Sequence, residues 1–438
     1  MRIAYLMPGS GGSFYCENCL RDADLVRALR AMGHDPLLVP LYLPLGAEAE
    51  EGMEAASVFF GGVNVFLQQK CALFRRTPRW VDRVFDAQPL LKLAARMAGM
   101  TDAETLAETT LSMLRGEHGR QAKELDRLVG WLAEEQRPDL ACLSNALLLG
   151  AARRLRAELG CPVVCSLQDE DIFLDALPDP ARQEAWAAVA ERAADADAFV
   201  AVSRYYAERM RRRLGLAADR LHVVHNAIAV ERYSPAPAPP ARPTIGFLER
   251  LCSEKGLDLL VEAFVALKSR PAFRDLRLRV AGGWTAADRP FVDAARRRLA
   301  DAGVAGDVEM LGNLERRGRA DFLASLSVLS VPARHAEAFG AYVLEALACE
   351  VPVVVPRRGA FPELLEATGG GVLCEAEDAE SLAAALAGLL SEPRKAQELG
   401  RTGRAAVAEK FTVQRMARQC IEVYDQAVAR SRAEAAAT

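Results

Sequence analysis

Short runs of apolar residues alternate along this chain with longer amphipathic stretches, the rhythm of a parallel α/β protein. Residues 3–7, 139–143, 162–167, 198–202 and 221–224 are apolar runs of strand length, each neighboured by a helical pattern. The first run leads into Pro8-Gly9-Ser10-Gly11-Gly12-Ser13. A helix follows with Leu25, Leu29 and Met32 on one face and Gly33 at its end, a strand–glycine loop–helix opening. A second series of strands is predicted at 244–247, 276–281, 307–311, 328–331 and 351–355. Between the two series lies Ser234-Pro235-Ala236-Pro237-Ala238-Pro239-Pro240-Ala241-Arg242-Pro243, which predicts a stiff extended connector and a domain boundary. The tail, 413–430, is helical, with Met416, Cys420, Ile421 and Tyr424 on one face.

The chain has 438 residues, enough for two or three domains, and its 51% hydrophobic and 26% charged residues are the balance of a globular protein. A formal net charge of −4 gives no global attraction to nucleic acid, and none is expected as a partner. No stretch reaches the roughly 20 apolar residues that span a bilayer, and the first strand is too short for a signal-peptide core. A cytoplasmic location is the expectation. Ten cysteines are scattered without the density of a disulfide framework. Cys16-x-x-Cys19 with Cys161 and Cys165 admits a zinc site or a redox pair. The preferred reading is reduced thiols acting as small apolar side chains, as for Cys142, Cys252, Cys349, Cys374 and Cys420, with no metal.

Residues 63–100 mix Phe66, Phe74, Trp80 and Phe85 with Lys70, Arg75, Arg76, Arg79, Arg83, Lys92 and Arg96. Such a segment can rest on an anionic membrane surface or grip an extended acceptor; the preferred reading is an inserted helical lid packed on its own domain. The membrane reading would make the protein peripheral on the inner face of the membrane.

The most informative stretch is Pro332-Ala333-Arg334-His335-Ala336-Glu337-Ala338-Phe339-Gly340, followed by a helix with Val343, Leu344 and Leu347 on its apolar face. Glu337 is predicted in the loop, at the positive N-terminal end of that helix, and Glu345 about a turn and a half inside it. A helix start preceded by glycine suits an anion, and carboxylates beside it suit hydroxyls. A ligand that is half phosphate and half polyol, such as a sugar nucleotide, meets both demands. Among 59 acidic residues, the bland alternative is two solvated helix-face carboxylates.

Upstream stands Arg250-Leu251-Cys252-Ser253-Glu254-Lys255-Gly256 before a helix with Leu257, Leu260, Val261 and Phe264. Downstream, Arg358-Gly359-Ala360-Phe361-Pro362-Glu363-Leu364 follows a strand. With these segments the chain resembles glycosyltransferase family 4, the retaining GT-B nucleotide-sugar transferases. The resemblance is strong over 245–411, weaker at the first glycine loop and around 201–233, and poor over 47–137. It implies an α/β fold of two Rossmann-like domains facing each other across a cleft, with the last helix crossing back to the first domain. The domains expected are 1–233, acceptor-side, with a helical insertion near 50–130 and completed by 414–438, and 244–413, which binds the nucleotide sugar. Related chains end the first domain near Asn226.

The resemblance also implies roles. Arg250 and Lys255 would hold the diphosphate, Glu337 the donor sugar hydroxyls and Glu345 the ribose. The backbone at Phe339, Gly340 and Ala341 would face sugar and diphosphate, and Gly312-Asn313-Leu314 would border the base. Gly11 and Gly12 would let the first loop approach the donor. The donor expected is a nucleotide-diphosphate sugar, a UDP-sugar first. The acceptor (saccharide, lipid or small molecule) is left open. No Asp-x-Asp follows a strand to announce a metal–diphosphate site, so metal-independent transfer is expected, with fixed cations absorbing the leaving-group charge. Two departures stand out. Gln168 occupies the place of a histidine found in many members, where it can hydrogen-bond a sugar or acceptor but cannot titrate, and Asn226-Ala227 replaces Asn-Gly. His118 is a further acceptor-side candidate.

Two rivals remain. A dehydrogenase fits badly, because Phe14 takes the third glycine position of G-x-G-x-x-G counted from Gly9, and the second strand, at 37–39, does not end in an acid. A nucleotide-sugar-binding protein of this fold with little or no transfer is the alternative that Gln168 motivates.

Overall fold

A computed structural model describes residues 1–8, 17–41 and 103–437. The chain forms two compact units, Met1–His225 with Met416–Thr438, and Asn226–Arg415. Each holds a parallel sheet that is six-stranded among the described residues.

In the first unit the strands are β1 (Arg2–Met7), β2 (Asp35–Pro40), β3 (Leu140–Leu143), β4 (Val163–Leu167), β5 (Ala198–Ala201) and β6 (Leu221–Val223), in the spatial order β2-β1-β3-β4-β5-β6. Central strands β3, β4 and β5 are buried at every position, as expected where helices cover both faces of a parallel sheet. The helix Glu17–Ala31 buries Leu25 and Leu29, but Met32 lies beyond its end and is 40% exposed, against the sequence expectation. Helices Ala103–Leu114 and Ala122–Trp131 account for the described part of the expected helical insertion. The C-terminal helix Val413–Ala437 begins in the second unit and packs on the first. Met416, Cys420 and Tyr424 are buried as expected, joined by Val423, while Ile421 is half-buried. Tyr424 OH lies 3.4 Å from Cys142 Sγ on β3.

In the second unit β7 (Thr244–Leu248), β8 (Arg277–Ala281), β9 (Val308–Leu311), β10 (Val328–Ser330), β11 (Val353–Pro356) and β12 (Gly371–Cys374) take the order β12-β11-β10-β7-β8-β9. This is the Rossmann order, and its direction reverses between β7 and β10. Ligands of such sheets bind beyond the strand C-termini at that switch point.

The chain changes unit at His225/Asn226 and again at Arg415/Met416, not at the proline-rich stretch. The reason is local pairing. Ile228 bridges Thr412, its amide donates to Phe411 O (3.1 Å), and Tyr233 O accepts from Arg404 (3.2 Å), so this stretch already belongs to the second unit. The prolines then line a groove of about 440 Å³ with Leu326, Val351 and Leu389. The groove lies at the N-terminal ends of β7, β10 and β11, away from the switch point.

Candidate functional site

Two loops meet at the switch point of the second unit. The first follows β7 and carries Glu249, Arg250 and Lys255, ending at Gly256 with φ +73°. A Cβ at Gly256 would stand 2.0 Å from Pro332 O, so the absent side chain lets this loop lie directly on the next. The second loop follows β10. Its Arg334 amide donates to Glu254 O (2.8 Å), and its guanidinium donates to both oxygens of Asp258 (2.7 Å each) and to Ser253 O (2.8 Å). The fork-on-fork pair ties the second loop to the first turn of the helix Leu257–Lys268, and the bonds to Ser253 O and Glu254 O tie it to the first loop. Gly340, at φ +88°, then turns the chain into the helix Ala341–Ala348, and a Cβ there would come 2.9 Å from the Phe361 ring.

Held between these loops is Glu337, only 2% exposed. Lys255 Nζ donates to its Oε1 at 2.7 Å, Tyr342 OH donates to the same oxygen at 3.3 Å, and His335 Nε2 stands 3.2 Å from it. Lys255 also pairs with Glu249 at 3.3 Å and lies 5.9 Å from the centre of the Tyr342 ring. Burial alone would push the Glu337 carboxyl up, but Lys255 and His335 outweigh it and hold the pKa down at about 2. A buried carboxylate with such partners is not a solvated helix-face acid. Arg250 stands apart from this cluster. It is half-exposed, with its guanidinium 4.0 Å from Glu254.

Glu345 is buried as well, as is every residue of its helix. Tyr233 OH donates to its Oε1 (2.9 Å) and Arg319 Nη2 to its Oε2 (2.6 Å). Neither partner was picked out from sequence. Arg319, itself 6% exposed, shares a helix face with Phe322 and Leu323, and an arginine on an apolar face is the signal that marks it. Asn313 is exposed and Leu314 half-buried, in the loop between β9 and that helix. Phe339 is buried, 6.3 Å from Phe411 ring to ring.

In the first unit, Gly11, Gly12, Cys16 and residues 63–100 lie outside the described residues. Gln168 follows β4 and is buried. Its Nε2 donates to Ser144 O (2.6 Å) and approaches Asp22 Oδ1 (3.4 Å), while Oε1 has no hydrogen-bond partner among the described residues. Asp22 is further tied to Arg21 (2.7 Å) and Tyr5 OH (2.8 Å). His118 sits on a short 3-10 turn with its side chain 75% exposed, beside Glu117 at 3.7 Å. Cys161 and Cys165 are buried free thiols, and no group of three or more potential metal ligands occurs among the described residues.

The acids after Gln168 form a network that the sequence reading did not assign. Glu170 accepts from the amides of Ala146 (2.8 Å) and Gln168 (2.7 Å) and from Tyr206 OH (2.8 Å), joining the ends of β3 and β4. Burial pushes its pKa up to about 7, against partial relief from these bonds. A carboxyl raised this way binds its proton more tightly folded than unfolded, so its contribution to stability is full below its unfolded value of 4.5 and is lost as pH rises through about 7. Glu170→Gln should flatten that slope. It should also cost about 1–3 kcal/mol at acid pH, because its amide NH₂ must face an N–H donor. Urea melts at several pH values measure both.

Comparison with known proteins bears on the family and the fold. Residues 105–232 match the model of Glycosyltransferase Family 4, and residues 233–406 that of Glycosyl transferases group 1. The chain belongs to the family 4 glycosyltransferases. Among relatives of this family 4 chain is the GDP-mannose-dependent alpha-(1-6)-phosphatidylinositol monomannoside mannosyltransferase of Mycolicibacterium smegmatis. It is 30% identical over 226 residues, 48% of this chain and 57% of that protein. The chain spans little over half the length of the first curated relatives it matches. The fold is shared with sucrose-phosphate synthase from Thermosynechococcus elongatus (TM-score 0.71, 18% identity, 98% of this chain and 99% of that one). It is also shared with Anabaena HepE, solved in complex with UDP (TM-score 0.69, 17% identity, 97% and 100%). The fold is therefore GT-B, built of two Rossmann-like units. Among the described residues no helix is long and apolar enough to cross a membrane.

Proposed function

We propose that this chain transfers a sugar from a nucleoside-diphosphate sugar to an acceptor hydroxyl, with retention and without a metal ion. The observation that carries the reading is the Lys255–Glu337 pair, packed at the switch point beside the Gly340 helix start. A departing diphosphate gains negative charge as the glycosidic bond lengthens. On this reading Lys255, Arg250 and the amides that open the helix Ala341–Ala348 would absorb it. Glu337 Oε2 would take a sugar hydroxyl. Glu345, buried beside Tyr233 and Arg319, would take the ribose diol. On this reading the acceptor attacks from the face the diphosphate leaves, and a phosphate oxygen takes its proton.

UDP-sugars are the first donors to try, since HepE holds UDP, and GDP-mannose the second, since the mycobacterial relative is named for it. The experiment is a thermal-shift panel of UDP-, GDP- and ADP-sugars, followed by donor turnover with saccharide, inositol-phosphate and lipid acceptors, with and without chelator. Turnover that survives chelation supports the proposal. Abolition by chelator overturns metal independence, and binding without turnover on any acceptor favours the binding-protein alternative.

A further inference from the structure

A third ionisable side chain stands at Glu337. His335 lies in the loop between β10 and the helix Ala341–Ala348, with Nε2 3.2 Å from Glu337 Oε1 and Nδ1 3.2 Å from Glu254 O. Both neighbours can only accept. The Nε2 contact with Oε1 is an ion-pair distance rather than an aligned hydrogen bond; a neutral imidazole has one N–H and must turn a lone pair toward one of the two oxygens, whereas the doubly protonated ring sets a positive charge between them.

The charges around this ring come from four elements. The loop after β7 supplies Lys255, Glu249 and Glu254, the last with Arg250 at 4.0 Å. The helix Leu257–Lys268 supplies Asp258, taken up by Arg334. The loop after β11 supplies Arg358, which donates to Arg334 O and pairs with Glu377 at 2.7 Å. The helix Ala341–Ala348 supplies the Tyr342 hydroxyl. Arg334 and Arg358 are matched by their own acids, so Lys255 and His335 face Glu337 and Glu249. Every contact on the Glu337 carboxylate falls on Oε1, and Oε2 has none among the described residues.

We propose that His335, as an imidazolium, is a positioning residue for Glu337: together with Lys255 it anchors Oε1 and so aims Oε2 at a hydroxyl of the donor sugar. The inference rests on the donor-site reading given above. Its consequence is a pH dependence confined to the sugar half of the ligand. As the ring loses its proton, Glu337 loses one of its two cations and the carboxylate is freed to rotate. Affinity for a nucleotide sugar then weakens, while affinity for the bare nucleoside diphosphate stays level.

Calorimetric titration of UDP-glucose, GDP-mannose, UDP and GDP from about pH 5.5 to 8.5 tests this, in wild type, His335→Gln and His335→Arg. The wild type should bind the sugar nucleotide about tenfold more weakly at the alkaline end, with the bare nucleotide unchanged. His335→Gln should be weak and flat, and His335→Arg tight and flat, because a permanent cation replaces the titrating one. A glutamine variant that keeps the wild-type slope overturns the proposal, as does a slope shared by the bare nucleotide. Should His335→Gln not fold, the arginine variant decides: a flat profile supports the proposal and the wild-type slope overturns it. Glu337→Gln is the control for the site itself. If it leaves sugar-nucleotide affinity intact the donor-site reading fails, whereas loss there with normal pH behaviour in the His335 variants sinks this inference alone.

Discussion

Arg250→Ala and Lys255→Ala are expected to lose turnover alike but to part company in stability. On the proposed reading each removes one cation from a diphosphate that gains charge in the transition state, which costs on the order of 3 kcal/mol, or about a hundredfold in rate. Arg250 is 53% exposed and its acid partner is 4.0 Å away, so its removal should leave the melting temperature almost unchanged. Reading both as exposed loop cations predicts the same for Lys255. The structure corrects that. Lys255 is 16% exposed and pairs at 2.7 Å with Glu337, whose side chain is 3% exposed. Lys255→Ala strands a buried carboxylate, which costs about 3–5 kcal/mol. Lys255→Ala/Glu337→Gln should recover much of the stability and none of the rate. The pH trend follows from the same pair. Glu337 titrates at about 2 folded against 4.5 unfolded, so the stability it contributes is present above 4.5 and lost as pH falls toward 2. Thermal melts beside single-turnover rates check all of this. Full activity in Lys255→Ala would end the assignment.

The second large effect is expected at Arg319. Its Nη2 is 2.6 Å from Glu345, with side chains 8% and 4% exposed. Arg319→Leu leaves Glu345 buried without its cation and should lower stability by about 3–5 kcal/mol. An Arg319→Leu/Glu345→Leu pair should regain most of that, since apolar side chains of similar volume replace a buried pair with little loss. It should still fail to bind either nucleotide, because the proposed ribose acceptor is gone. Urea melts and nucleotide titrations on the same preparations separate the two effects. A double variant that binds UDP or GDP as well as wild type would place the ribose elsewhere.

Much of the fold was legible because parallel strands buried on both faces read as uninterrupted apolar runs. Of the strands in the second series, β7, β10 and β11 stood out in this way, while β8 and β9 carry Arg277, Arg279 and Glu309 among their apolar residues and are only partly buried. β12 did not stand out: three of its four residues are only half-buried at the sheet edge, and it opens on Gly371 after two further glycines. The E-x7-E pair and the Arg-x4-Lys-Gly loop were visible as spacing, and the structure brings Lys255 and Glu337 together across 82 positions of sequence. What spacing does not carry is the identity of distant partners. Tyr233 and Glu345 are 112 positions apart, and Tyr206 and Glu170 are 36 apart, so neither contact leaves a local pattern. His335 stood in plain view inside the quoted motif. Its significance lies in two oxygens, one of them the backbone carbonyl of Glu254, which only the folded loops deliver.

Comparing ligand affinities across two glutamate variants tests the central claim most directly. A nucleoside-diphosphate sugar and its bare nucleoside diphosphate are titrated into wild type, Glu337→Gln and Glu345→Gln. Losing a charged hydrogen bond costs about 1.5–3 kcal/mol, or roughly ten- to a hundredfold in affinity. With the sugar read by Glu337 and the ribose by Glu345, Glu337→Gln should weaken only the nucleotide sugar, and Glu345→Gln should weaken both ligands. Wild-type affinity for both ligands in both folded variants would contradict a donor site at this switch point.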